Sequence, residues 1–166
     1  MSTLEAFAAR CREVLATHNT PAGRAQVAAQ LAAALADPAF VPALFAGDTP
    51  ERKIVYEDPD LGFCILAHEY HGAKESTPHD HGPSWAIYGQ AAGETEMSDF
   101  ALLEPAAPGR AGKVRRTRTY RLRPGDVHVY NEGDLHAPSR AAPTRLVRIE
   151  GVNMETVARA KYEVVQ

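Results

Sequence analysis

Apolar positions in the first 47 residues recur at helical spacing. Leu4, Phe7, Cys11, Val14 and Leu15 fall on one face at i, i+3, i+4 intervals, which predicts an amphipathic helix ending near His18-Asn19. Thr20 followed by Pro21 is an N-cap and N1 pair and opens a second helix, with Val27, Leu31 and Leu35 four apart. Asp37-Pro38 stops it, and Phe40 to Phe45 reads as a short apolar turn laid as a lid against the rest of the chain. From Ile54 the texture changes. Short runs rich in β-branched and aromatic residues (Ile54 to Tyr56, Phe63 to Tyr70, Trp85 to Tyr88, Tyr120 to Leu122, Leu146 to Ile149) alternate with Gly, Pro and Asp clusters, the pattern of a sandwich or barrel. Glu104 to Gly112 is an Ala, Pro and Gly-rich loop between strands.

Composition sharpens this. The 166 residues are 45% hydrophobic and 23% charged, an ordinary globular balance for one domain. Residues 1–47 hold fifteen alanines and form a helical region packed on the open end of the barrel, and residues 48–166 form the barrel itself. With only Cys11 and Cys64 there is no disulfide framework, so both thiols are read as small buried hydrophobes. No stretch has signal-peptide form or the length of a membrane span, which together with the cysteines predicts a cytoplasmic protein. Seven cations crowd residues 110–123, yet the net charge is −3 and Tyr120 is their one aromatic neighbour, so they read as a solvated hairpin face rather than a nucleic-acid surface.

Of seven histidines, two form Pro78-His79-Asp80-His81-Gly82. On a strand, residues i and i+2 face the same side, so His-x-His can act as a two-pronged metal clamp; the alternative is a pair of exposed loop histidines. Downstream, Gly125, five residues, Asn131-Glu132-Gly133, two residues and His136 matches the second motif of the cupins in spacing, with Asn131 in place of a proline and Arg140 in place of an asparagine. His79-x-His81, four residues to Ala86 and six more to Gly93 match the first, with Ala86 in the slot that usually carries a glutamate ligand. The chain therefore resembles a three-histidine cupin: a mainly β, double-stranded β-helix (jelly-roll) barrel with an N-terminal α-helical region. Its metal ligands would be His79, His81 and His136. His128, just before the turn, lines the pocket as a catalytic candidate, whereas His68 and His71 read as core or solvated histidines.

A narrower resemblance is to the thiol dioxygenases, the cysteine dioxygenase and 3-mercaptopropionate dioxygenase family. It rests on Phe63-Cys64-Ile65-Leu66, Thr77-Pro78-His79-Asp80-His81, Trp85-Ala86-Ile87-Tyr88-Gly89, Gly93-Glu94-Thr95, Pro124-Gly125-Asp126-Val127, Gly133-Asp134-Leu135-His136 and Gly151-Val152-Asn153-Met154. The resemblance implies Fe(II) on the three histidines, a small thiol and O2 as substrates, and a sulfinate product. Three imidazoles alone do not choose among Fe, Ni, Zn and Mn, and they leave a dication that favours anionic ligands. Trp85 and Tyr88 would narrow the pocket. The family's carboxylate-gripping arginine aligns with Lys53, beside Arg52, so one of these would hold the substrate.

The departures fall in the substrate pocket. The Ser-x-His-x-Tyr triad of the family is replaced by Leu146-Val147-Arg148-Ile149-Glu150, and the cysteine that cross-links to its tyrosine in some members is Ala86 here. Arg148 and Glu150 share a strand face. Pointing inward, Arg148 would take an anion and Glu150 would act as base or hold an amine; pointing outward, they form a surface pair of little consequence. Val147 and Ile149 occupy the opposite, apolar face. The expected partners are a small thiol or small anion and O2, with no nucleic acid and no membrane, in a monomer or homodimer. A cupin enzyme of other chemistry (a non-thiol dioxygenase, an isomerase or a hydrolase) and a non-catalytic metal or ligand sensor are the alternatives.

Overall fold

Helix α1 (Thr3–Thr17) buries Phe7, Cys11 and Leu15, and α2 (Pro21–Ala36) buries Val27 and Leu31, the faces their spacing predicts. The computed structural model describes residues 3–166. Thr20 caps α2 through its hydroxyl, which accepts from the Gly23 amide at 3.2 Å. The apolar turn expected after it is a short helix, α3 (Phe40–Leu44). It is not a lid: Phe40, Leu44 and Phe45 are buried in the core between helices and sheet, and Phe40 packs edge-on to Phe7 with centroids 5.2 Å apart.

Ten strands come after the helices among the described residues: β1 (Lys53–Glu57), β2 (Cys64–Tyr70), β3 (Lys74–Glu75), β4 (Ala86–Ala92), β5 (Thr95–Glu104), β6 (Gly112–Leu122), β7 (Val127–Tyr130), β8 (Leu135–Arg140), β9 (Thr144–Glu150) and β10 (Tyr162–Val164). They form two five-stranded sheets, β1-β2-β9-β4-β7 and β10-β6-β5-β8-β3. All pairings are antiparallel except β10 with β6. This is the mainly β, double-stranded β-helix architecture, with helices at the N-terminus.

The helices lie on the outer face of the first sheet rather than over an open end of the barrel. Ile65, Ala67, Ile87, Val147 and Ile149 make one apolar cluster with the buried faces of α1, α2 and α3. Those side chains alternate with Leu66, His68, Tyr88, Arg148 and Glu150, which therefore point into the barrel. Both faces of this sheet are covered, and the apolar one is the outer one. Gly89 lets α2 approach: a Cβ there would stand 2.8 Å from Leu31 Cδ2.

Two arginines fasten the helical layer. Arg12 Nη1 holds both carboxylate oxygens of Asp58, at 2.6 and 2.7 Å. Arg24, only 5% exposed, stacks 5.1 Å from the Trp85 ring and reaches Glu132 in the turn between β7 and β8. The basic run extends from the turn before β6 through β6 to the turn after it, and there Arg118 pairs with Asp99, and Arg121 and Arg123 pair with Glu94. Among the described residues no helix is long and apolar enough to cross a membrane.

Candidate metal centre

His79 and His81 sit on the segment between β3 and β4, and His136 is the second residue of β8. The backbones of His79 and His136 exchange two hydrogen bonds, 3.0 and 2.9 Å long, which lock the two segments side by side. The turn before His136 is closed by the Asn131 amide on Asp134 Oδ2 (2.8 Å) and by Gly133 at φ +80°, a left-handed conformation that disfavours side chains. The three imidazoles are thereby brought together, each offering a ring nitrogen within 4.8 Å of the others.

The tautomers of two of them suit a metal. Nδ1 of His79 donates to the Thr77 carbonyl and Nδ1 of His136 to the Asp134 carbonyl, both at 2.8 Å, so each of these neutral rings carries its hydrogen on Nδ1 and has a lone pair on Nε2. His81 Nε2 comes within 3.3 Å of His136 Nε2. Burial pushes His79 down to about 4 and holds His81 and His136 well below the ordinary imidazole value, so all three are neutral near pH 7, as ligands must be. The donor set fits a divalent ion: three histidines could hold one, and the identity of the metal is not encoded in them.

Beside the cluster stands Tyr88, fully buried, its hydroxyl 3.1 Å from Nε2 of both His81 and His136. Arg148 lies over the Tyr88 ring at 4.3 Å. Glu150, with 0% exposure, accepts through Oε2 from Arg52 Nη2 (3.0 Å) and from the Met154 amide (3.3 Å), and its Oε1 is 3.5 Å from Arg148 Nη1. Arg52, His68, Tyr70, Arg148, Glu150 and Arg159 line a cavity of about 440 Å³.

Charge in this interior is unbalanced. Arg140 is 2% exposed, rests 4.3 Å over the Tyr70 ring, has no acidic partner among the described residues, and leaves Nε and Nη2 without a hydrogen bond. Burial pushes its pKa down from the ordinary arginine value. Arg148 Nε and His68 Nε2 are likewise buried and unpaired. Burial, and then the arginines Arg148, Arg52 and Arg140, keep His68 neutral.

The structure separates the remaining expected site residues. Arg148 and Glu150 face inward, and Arg52 joins them. Lys53 does not: it registers with Ala67, on the helix side of the sheet, so the cation in the cavity is Arg52, one residue earlier. Trp85 does not narrow the pocket. It belongs to the helix-facing core, because alternation that points Ala86 and Tyr88 inward points Trp85 and Ile87 outward. His128 is not part of the three-histidine cluster; its ring is tilted against those of Tyr120 and Tyr130, with centroids 5.2 and 4.6 Å away, and it lines a different groove. Arg140, Tyr70 and Arg159 were missed. Arg140 had a signal, since it lies four residues beyond His136 on one strand and so on the same face.

No protein-family profile and no curated protein sequence matches the chain. Solved structures do. The cupin domain of Cnp3 from Schizosaccharomyces pombe is 11% identical over 68% of each chain, with a TM-score of 0.50. A cupin-2 domain containing protein from Shewanella frigidimarina is 14% identical over 62% of this chain and 82% of that one (TM-score 0.44). KdgF from a Halomonas species is 19% identical over 67% and 90% (TM-score 0.47). At such identities the likeness is one of fold, and this chain has the cupin, double-stranded β-helix fold with a three-histidine cluster.

Proposed function

We propose that this protein is a metal-dependent cupin enzyme, a non-haem Fe(II) dioxygenase that oxidises a small anionic thiol to its sulfinate. The observation that carries the reading is the juxtaposition of three neutral imidazoles, free of any carboxylate ligand, with a buried interior holding Arg52, Arg148 and Arg140 against one buried carboxylate, Glu150. An uncompensated buried guanidinium is costly, and a cation–π contact offsets only about 2 kcal/mol of that cost. A bound anion offsets the rest. The thiol dioxygenase motifs around His79, His81 and His136 supply the other support.

When bound, the iron would supply Lewis acidity toward a thiolate and one-electron chemistry toward O2. The chain's own groups do the remaining work. Arg148 and Arg140 would take the substrate's anionic end through the N–H groups that lack partners. The Tyr88 hydroxyl, carried on β4, holds a proton 3.1 Å from two of the ligand nitrogens, where the resembled family uses a tyrosine from the strand corresponding to β9. Glu150 Oε1, buried and without a hydrogen bond, would accept the thiol proton. The overall conversion balances: a thiol and O2 give a sulfinate and one proton. Arg159, on the exposed rim, would meet an arriving anion.

The test is O2 consumption by Fe(II)-reconstituted protein against cysteine, 3-mercaptopropionate, mercaptosuccinate and the cationic thiol cysteamine. Uptake coupled to sulfinate with the carboxylated thiols and none with cysteamine is the expected result. Iron binding without uptake on any thiol overturns the thiol assignment, and turnover of another small anion without O2 would make this an isomerase or hydrolase of the same fold.

A further inference from the structure

Behind the third ligand lies a chain of tyrosines with no part in the proposed substrate cavity. Tyr130 is buried and stacks on the His136 ring with centroids 3.9 Å apart and planes 24° from parallel. It also meets Tyr88 edge-on at 4.9 Å. Its hydroxyl is 2.6 Å from that of Tyr120, and the Tyr120 hydroxyl donates to Asp99 Oδ1 at 3.1 Å. Asp99 and Tyr130 line a groove of about 330 Å³ with Arg118, His128 and Gly133, which shares no lining residue with the cavity containing Arg148 and Glu150. Arg118 grips the other oxygen of Asp99 at 2.6 Å and lies 4.7 Å over the Tyr120 ring.

The hydrogens in this chain have one direction. Each phenol owns one, a carboxylate only accepts, and the Tyr120 hydrogen therefore goes to Asp99. The 2.6 Å contact must then be Tyr130 donating to the Tyr120 oxygen. Stacking on a ligand ring at one end and a carboxylate acceptor at the other is the arrangement that lets an electron and a proton leave together.

We propose that Tyr130 and Tyr120 form a relay that draws oxidising equivalents away from the three-histidine centre to Asp99 when the centre is oxidised without productive substrate. The inference rests on the iron reading above. With hydrogen peroxide as oxidant, the peroxide O–O bond breaks and two electrons and two solvent protons convert it to two waters. A bound Fe(II) would supply one electron, going to Fe(III), and Tyr130 would supply the other. The Tyr130 hydrogen moves to the Tyr120 oxygen as Tyr120 passes its own to Asp99, leaving a neutral tyrosyl radical at Tyr130 and a neutral carboxyl at Asp99. A hydrogen atom then returns from Tyr120 to Tyr130 across their contact, so the radical ends on Tyr120 and Tyr130 is restored.

The experiment adds peroxide to Fe(II)-loaded protein in the presence of a nitroso spin trap, reads the radical by electron paramagnetic resonance and maps the adduct by peptide mass spectrometry. Iron content and thermal unfolding of each variant are measured alongside. The expected result is an adduct on Tyr120 that requires iron. In Tyr130→Phe it falls to the level of metal-free protein, and in Tyr120→Phe it shifts to Tyr130, while labelling of Tyr162, outside the chain, is unchanged. A purely structural role for these hydroxyls would not relocate the adduct. If iron binds and Tyr120 is unlabelled, or is labelled equally in Tyr130→Phe, the relay is wrong while the metal reading stands. If no iron binds, both fall.

Discussion

Arg24 and Glu132 form a two-pronged ion pair, Nη1 to Oε2 and Nη2 to Oε1, each 2.7 Å long. The same guanidinium donates to Asn131 Oδ1 at 3.0 Å. A residue of α2 thus holds the turn that leads into His136, the third histidine of the candidate metal centre, which gives the helical layer a role in shaping the site. Asn131, which stands where the cupin motif has proline, is anchored by this contact instead of by a ring.

Removing that anchor has two expected consequences. Arg24→Ala loses charge-assisted hydrogen bonds from a buried guanidinium and should cost about 2 kcal/mol, lowering Tm by roughly 5 °C. It should also weaken metal retention, because the turn before His136 is released. Arg24→Lys, which keeps the charge but loses the fork, should recover only part of both. Thermal unfolding with and without metal checks this, and an Arg24→Ala protein with unchanged metal affinity would reduce the contact to a simple staple.

Arg140 should behave in the opposite way. A buried cation without an acid partner is a burden on the fold, so Arg140→Met should leave Tm unchanged or raised. Affinity for a carboxylated thiol should fall about tenfold, seen as a higher KM with little change in kcat. Steady-state kinetics at saturating O2 together with a melting curve separate these effects. Loss of stability with unaltered KM would show that the guanidinium serves the fold and not a ligand.

Tyr88 lies between the histidine cluster and Arg148. Tyr88→Phe removes one hydroxyl and keeps the ring, so metal binding should persist while sulfinate formation slows about 100-fold if the hydroxyl handles a proton. The ratio of sulfinate formed to O2 consumed is the sensitive readout, because a mispositioned proton donor uncouples the two. Full coupling at the normal rate in Tyr88→Phe would leave the hydroxyl without a chemical role.

Asp58 sets an acid limit on stability. Burial alone would raise its pKa, but the Leu61 amide, Arg12, the Asp60 amide and Tyr56 together outweigh that and hold it at about 2. A carboxylate depressed in the folded state contributes its full stability above its unfolded pKa, near 4, and loses it as pH falls toward about 2. Asp58→Asn should therefore be less stable than the parent at pH 7, and the difference should shrink across that window. Denaturant unfolding at several pH values measures it, and a pH-independent difference would contradict the assignment.

Much of the architecture was legible from spacing alone. The helix faces, the Thr20 cap and the five strand runs follow from periodicity and from turn residues, whereas the pairing of His79-x-His81 with His136 follows from the resemblance to the two cupin motifs. The direction of Arg148 and Glu150 was not. Alternation says that two faces differ, but in a sheet covered on both sides the apolar face can be the outer one, and here Val147 and Ile149 serve the helices. The same ambiguity misassigned Trp85, while a shift of a single residue exchanged Lys53 for Arg52. Arg140 was visible only as a departure from a motif, although its distance from His136 along one strand already placed it inside. Tyr130 and Tyr120 carry no motif, and only the folded barrel brings them to His136.

The proposed chemistry requires that His79, His81 and His136 form one metal centre. Anaerobic titration with Fe(II), followed by metal analysis, tests this most directly in the parent protein, His136→Ala and His128→Ala. One equivalent bound by the parent and by His128→Ala, with stoichiometric binding lost in His136→Ala, is the predicted result. No binding by the parent, or binding lost in His128→Ala and kept in His136→Ala, would contradict it.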